Sequence, residues 1–314
     1  MEFDTDALNQ LMSSKYDRRS TRPAPTHTHL EAFRRKEFSE ADIAEVFHEN
    51  TKYTERTDRS DQSTMSHFVH DETMQYALSK APPEYEGHER IDLPSPAETF
   101  DVDVSDAIRH RRTVRSYSGD GLSLDRLSTL LYYSCGATGR LSAPDGVENF
   151  GRAYPSGGGL YPVETYFAVL NAGEDLDEGL YYYVPDDHAL RVLRRGDDSF
   201  AEEVAELFAT GGVLDPTDAA LSFAFTAAFW RSKAKYGPRG YRFALQESGH
   251  VVQNVQLVAT AMGLASAPFA AAREDEVNDF LGVDGVDEAA IYTGFVGVPE
   301  SERGGRVPDG GGQR

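Results

Sequence analysis

Cysteine is almost absent from this chain: Cys135 stands alone among 314 residues. A single thiol forms no disulfide within the chain and no thiolate metal cage, and its isolation predicts a reducing, cytoplasmic setting. The histidines of the first hundred residues (His27, His29, His48, His67, His70 and His88) lack the i, i+4 spacing of helical metal ligands, so no metal site is expected. Lysine is scarce, limited to Lys15, Lys36, Lys52, Lys80, Lys233 and Lys235, and 52 acidic residues face 31 basic ones for a formal net charge of -21. Without a broad basic face the chain is a poor partner for nucleic acid or for an anionic membrane surface. An acidic surface low in lysine predicts a soluble, salt-adapted protein. No apolar run reaches membrane length: the longest, Ala219 to Trp230, is interrupted by Ser222 and Thr226. The acidic start, Met-Glu-Phe-Asp-Thr-Asp-Ala, has no signal-peptide core.

Residues 1–95 are polar and poor in periodic apolar positions. Glu31–Phe38 and Ala41–His48 suit short helices. The rest suggests an extended arm, with proline joints at Ala81-Pro-Pro and Leu93-Pro-Ser-Pro. Such an arm either wraps a partner subunit or is a partly disordered leader. The compact domain is expected over 96–300, and a glycine-rich tail, 301–314, is expected to be disordered.

Within the domain, Ser105 to Arg112 predicts a short helix capped by Ser105 or Asp103. It runs into Arg111-Arg-Thr-Val-Arg-Ser-Tyr. Three guanidinium groups and a hydroxyl so close together in an acidic protein form a local anion site, suited to a phosphate monoester; a solvated basic face is the other reading. Ser123 caps a helix with an apolar stripe of Leu124, Leu127, Leu130 and Leu131. Arg152 to Leu170 then joins a Pro-Ser-Gly-Gly-Gly turn to a β-branched and aromatic run, Val163–Leu170. The glycines leave the backbone open to a flat ligand, which could also bond to Ser156; the stretch equally fits an ordinary turn before a strand. Leu180–Val184 and Ala189–Leu193 flank a hairpin turn. Phe200–Ala209 predicts a helix, Ala220–Phe229 a buried strand and Ile291–Val298 a last core strand.

Trp230-Arg-Ser-Lys-Ala-Lys-Tyr-Gly-Pro-Arg-Gly-Tyr-Arg-Phe sets five basic residues among aromatics. A buried lysine has a lowered pKa and can exchange a proton with substrate, and a neighbouring tyrosine can relay or donate one. Lys235 and Tyr236 are therefore the catalytic candidates; a loop that binds an anion without chemistry is the alternative. Gln246–Met262 is the clearest helix, with Val251, Val255, Val258, Ala259 and Met262 on one face and Gly263 at its end. His250 on it reads as a helix histidine rather than a ligand. Leu264–Ala272 reads as a second loop whose backbone can meet a ligand.

Taken together, four motifs in order carry a resemblance. They are Arg111-Arg-Thr-Val-Arg-Ser-Tyr; Tyr154-Pro-Ser-Gly-Gly-Gly-Leu-Tyr-Pro-Val-Glu-Thr-Tyr; Gly179-Leu-Tyr-Tyr-Tyr; and Lys235-Tyr-Gly-Pro-Arg-Gly-Tyr-Arg-Phe with Glu247-Ser-Gly-His-Val-Val-Gln-Asn. From about Asp103 to Pro299 the chain resembles the nitroreductase superfamily. Within it the chain is similar to the SagB-type azoline dehydrogenases, which make thiazoles and oxazoles in modified peptides. The resemblance implies an α+β fold, a mostly antiparallel sheet flanked by helices, in an intertwined homodimer with two FMN molecules at its interface. It implies that Arg111, Arg112, Thr113 and Arg115 bind the FMN phosphate. Pro155, Ser156, Gly157 and Gly158 would line the isoalloxazine ring, and Pro268, Phe269 and Ala270 would face its N5 edge. Lys235 and Tyr236 match the pair to which this branch assigns proton abstraction, with hydride transfer to the flavin. A cyclodehydratase is the partner such an enzyme would have. The family's C-terminal Lys-x-Arg is not reproduced; Arg303 and Arg306 are the nearest candidates. Two other functions share the same motifs: an NAD(P)H-dependent nitro or quinone reductase, and a non-catalytic flavin-binding scaffold in a modification complex.

Overall fold

Residues Val163–Val169 are buried at every position, and the domain is layered about them. The computed structural model describes residues 43–53, 85–97, 99–140 and 150–300. The expected helix Glu31–Phe38, the joint at Ala81-Pro-Pro and the tail 301–314 lie outside the described residues. The chain divides into two units, Met1–Asp61 and Gln62–Arg314. In the first, helix α1 (Ile43–Asn50) falls close to the Ala41–His48 expectation, and its end is bonded by Thr51, whose hydroxyl donates to the Phe47 carbonyl at 2.6 Å.

The second unit begins with strand β1 (Arg90–Asp92) and helix α2 (Val104–His110). Asp103 rather than Ser105 caps α2, its carboxylate accepting the Asp106 N–H at 2.9 Å. Helix α3 (Leu124–Cys135) follows, capped by Ser123, then the small hairpin β2 (Ala137–Arg140) and β3 (Phe150–Arg152). Next come β4 (Val163–Val169), β5 (Gly179–Val184), β6 (Ala189–Arg195), α4 (Phe200–Glu206) and β7 (Leu221–Ala228). The last elements are α5 (Phe229–Tyr236), α6 (Gly240–Ala261), β8 (Ala265–Pro268), α7 (Glu274–Leu281) and β9 (Glu288–Gly297). Seven strands form one sheet in the order β1-β6-β5-β4-β7-β9-β8, and every neighbouring pair is antiparallel. This is the α+β architecture expected from the sequence.

Side-chain alternation along β4 divides the core. Val163, Phe167 and Val169 pack with Leu127, Leu130 and Leu131 of α3 and with Val251, Val255 and Val258 of α6. Tyr166 and Ala168 face the other way, onto Phe200 and Val204 of α4 and Val277 and Leu281 of α7. A central strand covered on both faces is apolar throughout, which makes the fully buried Glu164 conspicuous.

Four expectations need correction. The segment Trp230–Phe243, read without regular structure, is mostly helical, because α5 continues directly from β7 and α6 starts at Gly240 rather than Gln246. The backbones of α5 and α6 touch there: a Cβ at Gly240 would stand 2.4 Å from the Ser232 carbonyl carbon. Residues 265–268 are an edge strand, with Ala267 opposite Phe295 of β9; short side chains instead of β-branched ones hid it. Helix α4 ends three residues early, because Phe208 leaves to bridge Ala272. Finally, Arg111 and Arg112 are not helical: α2 stops at His110, and Arg111 has φ -50° and ψ 120°.

Candidate functional site

The arginine segment leaves α2 as extended chain and is held against β8, where the Val114 N–H donates to the Ser266 carbonyl at 3.0 Å. Extended backbone turns alternate side chains to opposite sides, so Thr113 and Arg115 share one side. With Arg112, Val114, Ser116, Val213 and Phe269 they line an open groove of about 670 Å3. Arg112, Thr113 and Arg115 are exposed and Arg111 is half-buried. Arg112 donates to the carbonyls of Arg109 and Arg111, at 3.0 and 2.8 Å. Among the described residues no carboxylate stands within ion-pair distance of Arg111, Arg112 or Arg115. In so acidic a chain, unpaired guanidinium groups around one groove constitute an anion-binding donor set. Phe269 is fixed at the groove by reciprocal bonds with Thr293: its N–H donates to the Thr293 carbonyl at 2.9 Å, and the Thr293 hydroxyl donates back at 2.5 Å. Pro268 is half-buried beside it and Ala270 is exposed.

The second group forms where the Pro155–Tyr161 turn meets α5 and α6. Gly158 and Gly159 have φ of 69° and 66°, a left-handed pair that glycine adopts without strain, and Tyr161 returns to positive φ, 45°, after the right-handed Leu160. A Cβ on Gly158 would stand 2.5 Å from the Tyr236 hydroxyl and 2.6 Å from Lys235 Nζ; one on Gly157 would stand 3.4 Å from the Phe243 ring. The turn therefore lies bare against the two catalytic candidates. Lys235 is buried, and desolvation lowers its pKa. Its ammonium lies 5.5 Å from the centre of the Tyr236 ring, and among the described residues it has no carboxylate partner. Burial raises the Tyr236 pKa, so the phenol keeps its proton. Desolvation thus biases Lys235 toward the neutral amine that can accept a proton, and Tyr236 is a group able to donate one.

Buried charge supports this turn from beneath, and the sequence reading assigned none of it. Arg152 donates to the Tyr154 hydroxyl at 3.0 Å and the Val163 carbonyl at 2.9 Å, and its guanidinium lies 5.0 Å from the centre of the Tyr161 ring. Arg231, four residues before Lys235 on α5, donates to the Tyr161 carbonyl at 3.0 Å and pairs with Glu164 at 2.5 Å. The Tyr182 hydroxyl donates to Glu164 at 2.7 Å. Glu247 accepts the Val163 N–H at 3.3 Å. The signal that could have found them is charge inside apolar periodicity: a glutamate within Val-Glu-Thr-Tyr-Phe and an arginine three residues past a buried strand. Ser156 also works inward, its hydroxyl oxygen accepting the Tyr161 N–H at 2.9 Å.

A flavin mononucleotide needs a multidentate cationic site for its phosphate and an unobstructed backbone for its flat ring. The unpaired arginines with Thr113 have the first chemistry, and the Gly157–Gly158 surface that a Cβ would fill has the second; the residues present fit the group. Among the described residues no cluster of His, Cys, Asp and Glu could hold a metal, and no helix is long and apolar enough to cross a membrane.

Comparison with known proteins agrees with this chemistry. The Nitroreductase family model matches residues 108–298. MJ1384 of Methanocaldococcus jannaschii, which carries a provisional nitroreductase name, is 31% identical over 181 residues, 58% of this chain and 85% of its own. The trifolitoxin-processing protein TfxB of Rhizobium leguminosarum bv. trifolii is 28% identical over 209 residues, 64% of this chain; the chain spans 54% of TfxB's length. A chain of the E. coli microcin synthetase McbBCD complex, solved with truncated pro-MccB17 bound, shares the fold. Its TM-score is 0.52 and its identity 24%, over 70% of this chain and 83% of its own. The chain thus belongs to the nitroreductase family of FMN-dependent oxidoreductases.

Proposed function

We propose that the protein is a SagB-type dehydrogenase that oxidises an azoline ring, a thiazoline or oxazoline within a modified peptide, to the aromatic azole. The observation that carries this reading is the desolvated Lys235 set against the open backbone of Gly158. Aromatising an azoline removes a proton from a ring carbon together with a hydride, so a base must stand beside the surface on which the redox cofactor lies. The relation to a trifolitoxin-processing protein supports a peptide substrate.

In this reading Arg111, Arg112, Thr113 and Arg115 hold the FMN phosphate, and Pro155, Ser156, Gly157 and Gly158 lie under its ring. Pro268, Phe269 and Ala270 face the ring edge. Bound FMN supplies the two-electron acceptor. Lys235 Nζ takes the ring proton. Tyr236 keeps its phenolic proton and orients the substrate through it. In this reading the protein is a homodimer with two flavins at its interface, each touched by both chains. Apolar surface suited to such an interface is exposed around the turn, at Trp230, Tyr241 and Leu245. A cyclodehydratase completes the scheme, since it must build the azoline first.

Lys235→Ala tests the reading. Azoline oxidation should fall by about 10²–10⁴-fold, the usual contribution of a general base, with FMN retained. NAD(P)H-driven reduction of a nitroarene or quinone, which needs no carbon base, should survive. Azoline turnover that does not respond to the substitution would overturn the assignment. Wild-type protein that binds FMN, reduces nitro compounds and never oxidises an azoline, even beside a cyclodehydratase, would favour the plain reductase.

A further inference from the structure

The carboxyl of Glu247 is buried beneath the flavin-facing turn and only partly bonded. Its Oε1 accepts the Val163 N–H at 3.3 Å, while Oε2 is buried without a hydrogen-bond partner among the described residues. The Ser156 side chain lies beside this carboxyl. The oxygen of Ser156 is already engaged, accepting from the Tyr161 N–H, which leaves the Ser156 hydroxyl proton as its one donor. That proton can point inward to the carboxylate or outward over the turn, but not both ways at once.

We infer that Glu247 is a positioning residue that sets the direction of the Ser156 hydroxyl, inward when the carboxyl is ionised and outward, toward the bound flavin, when it is protonated. The inference rests on the reading that FMN lies on the Pro155–Gly158 turn. Ionised Glu247 is an acceptor alone, with an unmet buried oxygen that draws the Ser156 proton. Protonated Glu247 has a proton of its own to give and needs none. The groups that face it are Arg152 of β3, Tyr154 and Ser156 of the turn, and Glu164 of β4. Burial is the largest influence and raises the Glu247 pKa to about 7, with Ser156, Arg152 and the Val163 N–H opposing it and Glu164 reinforcing it. The two hydroxyl orientations therefore exchange within the physiological range.

The test is a titration of the dissociation constant for FMN, by quenching of flavin fluorescence, at pH 6 and pH 8. It uses the full-length wild type and the variants Glu247→Gln and Ser156→Ala. The FMN phosphate titrates in the same range, but it contributes equally to all three proteins. Relative to Glu247→Gln, whose amide can donate to Ser156 at any pH, the wild type should lose about fivefold in affinity between pH 6 and 8, the equivalent of one hydrogen bond. Ser156→Ala should show no such excess loss, and it answers the question alone if Glu247→Gln does not fold. Parallel pH curves for wild type and variants would overturn the inference while leaving the flavin site standing. No uptake of FMN by the wild type at either pH would overturn the flavin site and the inference together.

Discussion

The Arg231 guanidinium donates a 3.0 Å hydrogen bond to the main-chain carbonyl of Tyr161, the residue with φ 45° that closes the glycine turn. One side chain of the helix that carries Lys235 thus grips the turn that Lys235 faces. The same guanidinium is paired with Glu164, both side chains being sealed from solvent. Removing one member of a buried pair leaves an uncompensated charge and costs about 3–5 kcal/mol, whereas removing both costs far less. Arg231→Met and Glu164→Gln should each lower the unfolding free energy by that amount, and Arg231→Met/Glu164→Leu by much less than their sum. Urea denaturation of the single and double variants decides it; additive losses would show that the pair is not a unit.

Gly158 should tolerate no side chain if Lys235 acts where it stands. In Gly158→Ala the new methyl meets Lys235 Nζ and Tyr236 Oη, the free ends of side chains that can move aside, at a residue whose φ of 69° strains any Cβ. The backbone penalty is about 1–2 kcal/mol, small enough for the fold to survive. Turnover should fall well beyond what that penalty explains, because the base is displaced. A variant that melts lower but turns over as the wild type does would remove Lys235 from the reaction.

The arginine groove should discriminate by phosphate. Arg112→Ala and Arg115→Ala each remove charge-assisted bonds worth about 1.5–3 kcal/mol, roughly ten- to a hundredfold in the FMN dissociation constant. Riboflavin, which has the ring and lacks the phosphate, should bind these variants as it binds the wild type. Comparing the two ligands by calorimetry separates a phosphate site from a general loss of the fold, which would weaken both.

The helices α3 and α6 and the strands β4 to β7 were legible because each carries one periodicity through most of its length. Leu127, Leu130 and Leu131, or Val251, Val255 and Val258, announce a buried helical face on their own. Residues 229–243 were not, since arginine and lysine next to glycine and proline imitate a loop; what makes them helical is the contact of Gly240 with the Ser232 backbone, a tertiary fact. Strand β8 was missed for a similar reason, its Ala-Ser-Ala-Pro having no strand propensity apart from its pairing with β9. At the site, motif order brought out the residues at the surface of the turn and the groove. The supports Arg152, Glu164, Arg231 and Glu247 escaped because their partners are mainly backbone atoms and distant side chains, which spacing along a chain does not encode.

A sheet of this kind has two open margins, each a row of free peptide groups on which a neighbouring chain could stack. One margin is the three-residue β1, with charged Arg90 and Asp92 at its ends. The other is β8, a short strand that ends in proline, and its Ser266 carbonyl is taken by the N–H of Val114. Val114 lies between Thr113 and Arg115, so the segment proposed to hold the flavin phosphate also covers this edge of the sheet. On that proposal, protection from edge-to-edge aggregation and the hold on a phosphate depend on the same short length of chain, and a substitution that dislodges it should weaken both.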